Sequence, residues 1–306
     1  MKRIFCLVLA FFSAFLIYAQ PSIRLGVLKG ISCAPCAYLI ENSAKLSVQN
    51  MAFKVYDSER GELPALFKDE LDMGFISPKD AAKVFTKGNG AIVAIGVTQN
   101  GNAYLLTSDE SYSSIQNLAE KTVVCEGNNS DDVAVFNHIL SKDGSGVDSV
   151  EVDFSVPLAN IANKLITGEE QYALLKEPFA TIAINHNSKL RRAESLQKMF
   201  SNSENTSLYP AMLLVARTDF VSQNRELIRR FIDMYKNALS WTNKNPAKAG
   251  LLAEKHKLGL KSQIVKDSIP NAALVWRDAN MAKPDLEKLF EILEVPLPED
   301  GFYFNR

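Results

Sequence analysis

The feature that most constrains this chain is a pattern that occurs twice. In the first copy Ile23 to Leu28 reads as a strand that runs into Lys29-Gly30-Ile31-Ser32 and a helix. Further on, the stretch from Leu66 through Leu71, Asp72 and Met73 to Ile76, Ser77 and Pro78 reads as a helix, an acidic turn, an apolar strand and a proline-opened helix. The second copy has the same order. Lys121 to Cys125 is a strand entering Glu126-Gly127-Asn128-Asn129-Ser130 and a helix, and Leu165 to Pro178 repeats helix, acidic turn, apolar strand and proline. The distance from the glycine loop to the proline is about fifty residues in both copies, the mark of two similar α/β units with a cleft between them.

With 306 residues and 47% hydrophobic residues, the chain has enough apolar side chains for a full core and is long enough to divide in two. Its formal net charge of −1, which becomes more negative if Lys2 and Arg3 leave with a leader, provides no basic field for nucleic acid. Residues 1–19 have the form of a secretory signal peptide: Lys2-Arg3, then the apolar run Ile4 to Tyr18, then Ala19. The run is short for a stable membrane span, although Ile17 is bulky for a cleavage site and an uncleaved leader would act as a tether. The expected location is periplasmic or extracytoplasmic. Cys6 falls within the leader, so the mature chain keeps Cys33, Cys36 and Cys125, an odd number that argues against a disulfide framework.

Two turn-rich segments read as crossings between the units. Gln99-Asn100-Gly101-Asn102 precedes the extended run Ala103 to Thr107, and Ser201 to Ser207 precedes Leu208 to Ala216. Lobe one is then 20–104 plus 210–306, and lobe two is 105–209. In the C-terminal third, Asn224 to Lys244 spaces Leu227, Ile228, Phe231, Met234, Tyr235, Ala238, Leu239 and Trp241 by three and four, an apolar helical stripe expected to dock on lobe one. Asn245-Pro246 ends that helix and opens the next, Ala247 to Lys257, and Lys283-Pro284-Asp285 is expected to open a helix from Leu286 to Glu294.

In open parallel sheets, ligands settle beyond the carboxyl ends of the strands, where helix N-termini point unpaired N–H groups into the crevice. Four such ends can be named. They are Lys29-Gly30-Ile31-Ser32, Ser77-Pro78, Gly127-Asn128-Asn129-Ser130, and Glu177-Pro178. Gly30 and Gly127 allow close backbone approach, while Ser32 and Ser130 carry hydroxyls that either cap a helix or reach a ligand. Glu177 either caps a helix or accepts hydrogen bonds from a ligand nitrogen. Thr98 and Gln99 at the first crossing and Tyr209 at the second complete the expected lining. Tyr38, Tyr104, Phe179 and Tyr209 are placed to stack on a planar ligand or to form wall and core. Asp131 and Asp132 already offset the positive end of their helix, which favours a ligand of mixed polar and aromatic character over a bare oxyanion.

Read in order, these elements, with Leu71-Asp72-Met73-Gly74-Phe75, Ile115-Gln116-Asn117-Leu118, Lys176-Glu177-Pro178-Phe179 and Ala216-Arg217-Thr218-Asp219-Phe220, resemble the type II periplasmic solute-binding proteins. Within them the chain is similar to the nitrate, sulfonate, taurine and thiamine-pyrimidine-precursor (NMT1/THI5-like) branch. The resemblance implies an α/β, two-lobed periplasmic binding protein type II fold, each lobe a mostly parallel sheet flanked by helices, with two hinge crossings. It further implies a non-catalytic monomer without cofactor. Such a receptor closes on a small-molecule ligand and delivers it to the membrane permease and ATPase subunits of an ABC importer. The chain departs from the pattern at Glu169-Glu170-Gln171-Tyr172-Ala173 and in having no arginine beside the loops, which argues against sulfonate or nitrate.

Two other chemistries stay open. Cys33-Ala34-Pro35-Cys36 at a helix start, with Cys125 at the equivalent strand of lobe two, could bring three sulfurs to the cleft for a soft metal or a thiol-reactive ligand. The alternative is a local Cys33–Cys36 disulfide with Cys125 buried. Pyrimidine-precursor synthases share this fold and use a cysteine-rich loop with a cofactor lysine and histidines. Here His138, His186 and His256 are the only histidines, and no Ser-His-Asp pattern, phosphate-binding lysine loop or metal-spaced histidine pair points to catalysis.

Overall fold

The computed structural model describes residues 23–46, 48, 50–127, 130–143 and 149–306. The expected leader, and Asn128 and Asn129 of the second glycine loop, lie outside these residues. The strands are β1 (Ile23–Leu28), β2 (Met51–Tyr56), β3 (Met73–Ile76), β4 (Ile92–Asn100), β5 (Ala103–Thr107), β6 (Thr122–Cys125), β7 (Glu151–Asp153), β8 (Tyr172–Lys176), β9 (Arg191–Ser195), β10 (Pro210–Arg217) and β11 (Leu274–Asp278). They form two sheets, ordered β11-β4-β10-β3-β1-β2 and β7-β6-β8-β5-β9.

β1 pairs parallel with β2 and β3, and β6 pairs parallel with β7 and β8. The strands beside the crossings run the other way: β10 is antiparallel to β3 and β4, and β5 is antiparallel to β8 and β9. β11 is also antiparallel to β4, so both sheets are mixed, with the parallel pairs at one side of each, β3-β1-β2 in the first and β7-β6-β8 in the second. The chain leaves the first sheet at the end of β4, enters the second through Gly101-Asn102, and returns through residues 205–209 into β10.

The helices are α1 (Ala34–Asn42), α2 (Glu59–Phe67), α3 (Pro78–Lys87), α4 (Asp131–Asp143), α5 (Leu158–Thr167), α6 (Phe179–His186), α7 (Leu196–Glu204), α8 (Thr218–Gln223), α9 (Arg225–Lys244), α10 (Pro246–Lys255), α11 (Ser262–Ser268) and α12 (Ala279–Ile292). They cover the sheets, which is why β1, β3 and β4 are nearly continuous apolar runs rather than alternating ones. The stripe on α9 is core: Leu227, Ile228, Phe231, Met234, Tyr235 and Ala238 pack with β1 and α1 in one cluster. Full burial of side chains of this size removes roughly 1.5–3 kcal/mol of apolar exposure each.

Two boundaries differ from expectation. α12 begins at Ala279 and carries Pro284 inside it, because Ala279, Ala282, Leu286, Leu289 and Phe290 all bury and outweigh one missing hydrogen bond. α7 continues through Ser201 to Glu204 and stops only at Asn205, whose left-handed conformation (φ 53°, ψ 42°) ends a helix at little steric cost for asparagine.

At the first crossing, a Cβ on Gly101 would sit 2.0 Å from the fully buried Tyr209 ring. The Gly101 N–H donates to the Tyr209 carbonyl at 2.8 Å, so the two crossings are bonded to each other.

Candidate functional site

A cavity of about 800 Å³ lies where the strand ends of the two sheets face each other. From the first sheet come Ser32 after β1, Ser58, Glu59 and Arg60 after β2, and Ser77, Lys79, Asp80 and Lys83 after β3. The second sheet supplies Glu126, Gly127 and Ser130 after β6, Asp131 and Asp132 at the start of α4, and Lys176 and Glu177 at the end of β8. Gln99, Asn102, Tyr209 and Met212 line it from the crossings. All four named strand ends therefore border one hollow.

The wall is polar, and most of its charges are already paired. Lys79 Nζ bonds Asp131 Oδ1 at 2.9 Å, an ion pair that joins α3 of the first unit to α4 of the second. Burial raises the Asp131 carboxyl above its ordinary range, and the Lys79 bond opposes this. Lys176 lies 3.0 Å from Glu126 and 3.7 Å from Asp132. Burial acts against its charge, but the two carboxylates outweigh that and raise its pKa. The Tyr209 hydroxyl donates to Asp132 at 2.6 Å. Ser77 caps α3, its hydroxyl accepting from Asp80 N at 3.4 Å, a direct result of the Ser-Pro sequence at the helix start.

Of the residues singled out from sequence, Ser32, Ser77, Gln99, Gly127, Ser130, Glu177 and Tyr209 reach the cavity wall. Glu177, however, is closed by its own lobe. Its buried carboxylate accepts from Arg192 Nε and Nη2 and from the Thr181 N–H of α6, the capping alternative rather than an open acceptor. Gln99 spends its amide N–H₂ on the Ala272 carbonyl at 2.8 Å.

The rest of the set points elsewhere. Lys29 pairs with Asp57 at the surface, the Gly30 N–H (φ 121°) donates to the Leu258 carbonyl, and Ile31 is core. The loop folds back on the C-terminal helices, and of it Ser32 alone faces the cavity. Pro78 is buried at the first position of α3, and Thr98 is buried with its hydroxyl on the Met212 carbonyl. Tyr38 stacks on Trp241 with ring centroids 4.6 Å apart, because its face of α1 docks on α9. The Tyr104 hydroxyl donates to the Asn271 carbonyl, and Arg192 covers its ring. Among the expected stacking aromatics, Tyr209 is the one on the described wall, so stacking contributes little there.

The sequence reading missed the β2 end. Arg60 lines the cavity, contrary to the expectation that no arginine stands beside the loops, and Glu59 lines it with Oε2 buried and without a hydrogen-bond partner. The available signal was Ser58, a helix-capping residue directly after an extended run.

The three-sulfur arrangement is not formed. Cys33, Cys36 and Cys125 are free and buried, the first two in the core around α1 and α9 and the third in a separate cluster. Burial pushes the Cys125 thiol up to about 12. No group of three or more His, Cys, Asp or Glu able to hold a metal occurs among the described residues. The histidines stand off the cavity wall, His138 on Glu204, His186 on the Ile182 carbonyl and His256 on Glu41.

Two mixed α/β units, a double crossing and a polar cleft at the strand ends make up the fold of the type II periplasmic binding proteins. The chain belongs to the NMT1/THI5-like family, which it matches over residues 55–249. An ABC transporter protein from Parabacteroides distasonis superposes with a TM-score of 0.79 at 20% identity, covering 93% of this chain and 99% of that one. The periplasmic aliphatic sulphonate binding protein SsuA from Escherichia coli gives 0.71 at 13% identity, over 93% and 92% of the two chains. The periplasmic nitrate-binding protein NrtA from Synechocystis PCC 6803 gives 0.61 at 12%, over 92% and 84%. No curated protein matches the chain in sequence. Among the described residues, no helix is long and apolar enough to cross a membrane.

Proposed function

We propose that the protein is an extracytoplasmic receptor that encloses a small polar molecule between its lobes and presents it to the permease of an ABC-type importer. The observation that carries this reading is the meeting of four strand ends, two from each sheet, on one cavity with an ion pair spanning it. In this reading the lobes are 20–104 plus 210–306 and 105–209, and they rotate about the paired crossings at Gly101 and Tyr209. Ser32, Ser77, Gln99, Gly127, Ser130 and Tyr209 supply the polar contacts, with backbone N–H groups at the starts of α2, α3 and α4. Family membership and the functions of the similar sulphonate- and nitrate-binding proteins support the assignment.

No covalent step enters this function. A ligand that binds the folded state stabilises it by mass action, roughly 2.7 kcal/mol at a hundred times its dissociation constant. Thermal unfolding against a panel of amino acids, amines, pyrimidines, sulfonates and inorganic anions should therefore give at least one upward shift in Tm, with the compound recovered unchanged by mass spectrometry. A flat response across the panel contradicts the receptor, and recovery of a converted compound contradicts its non-catalytic character.

A further inference from the structure

We propose that the solvent side of α9, α10 and α11 is a docking face for the anionic surface of a phospholipid membrane, so that lobe one rests on the bilayer. The binding does not depend on which molecule the cavity takes. The receptor reading supplies only its purpose, which is to hold the protein on the surface where a permease would lie.

A net charge near zero conceals a strong separation along the chain. Between Arg225 and Ser268 there are ten Lys and Arg against four Asp and Glu, whereas residues 105–209 have eight against fifteen. The basic segment forms one surface. α9 buries Leu227, Ile228, Phe231 and Tyr235, which turns Arg230, Lys236 and Lys244 to solvent. α10 continues the surface with Lys248 and packs so closely on α11 that a Cβ on Gly250 would stand 2.3 Å from the Ser262 carbonyl oxygen. Lys257 follows α10, and Lys266 lies on α11. These six cations are all exposed, and among the described residues none of them forms an ion pair. The four acids of the segment are committed: Glu226 to Arg229, Asp233 to Arg306, Glu254 to Lys261, and Asp267 to Asn185 and Gln263.

Leu251 decides between partners. At 63% it is the most exposed large apolar side chain among the described residues. It follows Lys248 by three positions on α10 and precedes Lys255 by four, so a leucine and two lysines share one solvent face of the helix. That combination suits a bilayer interface, where ammonium groups meet lipid phosphates and the leucine enters the boundary with the acyl chains; an acidic protein segment would gain from the lysines alone. Each Lys or Arg held within a Debye length of an anionic surface adds about fivefold to partitioning. The acidic residues 105–209 are repelled by the same surface, which orients the molecule with lobe one toward it. The Gly30 N–H bond to the Leu258 carbonyl ties the edge of the face to the loop whose Ser32 lines the cavity, yet none of the six cations is part of the cavity wall.

Co-sedimentation of the whole chain with vesicles of phosphatidylcholine, and of phosphatidylcholine with an equal part of phosphatidylglycerol, tests this. The protein should partition onto the anionic vesicles at least about tenfold better than onto the neutral ones, and the difference should vanish between about 0.05 and 0.5 M salt. Lys244→Gln, Lys248→Gln and Lys257→Gln together should weaken anionic-vesicle binding by about tenfold or more, the three Lys→Glu changes should weaken it further, and Leu251→Ser should weaken it severalfold. As a control for net charge, Lys121→Glu, Lys189→Glu and Lys198→Glu alter exposed residues between 105 and 209 and should leave binding within about threefold of wild type. Residues 1–22 are common to every variant, so their own contribution cancels. Equal partition onto both vesicle types, wild-type binding by the triple glutamine variant, or an equal loss in the control would overturn the docking face. Capture of soluble polyaspartate as tightly as of anionic vesicles, with Leu251→Ser unchanged on both, would assign the face to an acidic protein segment and overturn the membrane. The receptor reading stands in each case, because the thermal-shift panel tests it separately.

Discussion

Glu62 is a fully buried carboxyl whose environment departs far from that of a free side chain. A carboxyl without access to water and without a cation is more stable protonated, and burial, with Glu59 adding to it, pushes Glu62 up to about 8 from 4.5. The folded protein therefore holds this proton more tightly than the unfolded chain. The stability it contributes is complete below the unfolded value near 4.5 and drains away as pH climbs toward about 8, by at most about 1.4 kcal/mol per unit. Denaturant unfolding of wild type and Glu62→Gln at pH 5 and pH 8 checks this. Wild type should lose on the order of 2–4 kcal/mol more than the variant, and parallel losses would contradict the account. Little of this chemistry was legible in the sequence. Only the packing of α2 across β1 and β3 shows that Gly26 and Gly74 make room for Glu62. Ser77 was legible because a capping serine before proline is a local signal, whereas Tyr38 and Thr98 were misplaced because the direction a side chain takes depends on which neighbour docks on its element.

At the scale of elements, periodicity and turn chemistry carried far. The α9 stripe, the strands β1, β3, β6 and β8 and the first crossing fall where apolar period and glycine or asparagine clusters place them, whereas the second crossing begins only after α7 ends at Glu204. The antiparallel insertion of β10 between β3 and β4 was not legible, since strand order depends on contacts distant in sequence. The crossings make two specific expectations. Gly101→Ala forces a methyl into the Tyr209 ring, and an overpacked buried site of this kind should destabilise by about 1–3 kcal/mol, read as a lower denaturation midpoint with unchanged m-value. An unchanged midpoint would show that the crossings are not tightly packed together. Lys79→Ala removes the bond between α3 and α4. For a pair with both side chains about a quarter exposed, the loss is about 0.5–1 kcal/mol, felt as faster amide exchange at the start of α4 with little change elsewhere. Equal exchange in both proteins would remove that pair from the contacts holding the lobes together.

For the whole molecule, the duplicated pattern of strand, loop and helix was the decisive information, because two equivalent half-units must face each other somewhere and the strand ends are where their unpaired backbone donors gather. The identity of the lining acids was beyond reach, since Glu59 enters from the edge strand β2, which lies outside the repeated pattern. In the proposed reading the two sheets, joined by bonded crossings and an ion pair across the cavity, belong to lobes that close on a shared ligand. A ligand that closes the lobes must make contacts with both, so its binding and the compaction of the molecule are one equilibrium. Small-angle scattering of the protein alone and with a compound that raises its Tm measures this most directly. The account predicts a smaller radius of gyration that saturates at the same concentration as the thermal shift. A radius that stays constant while the compound binds would contradict closure of the two lobes on a shared ligand.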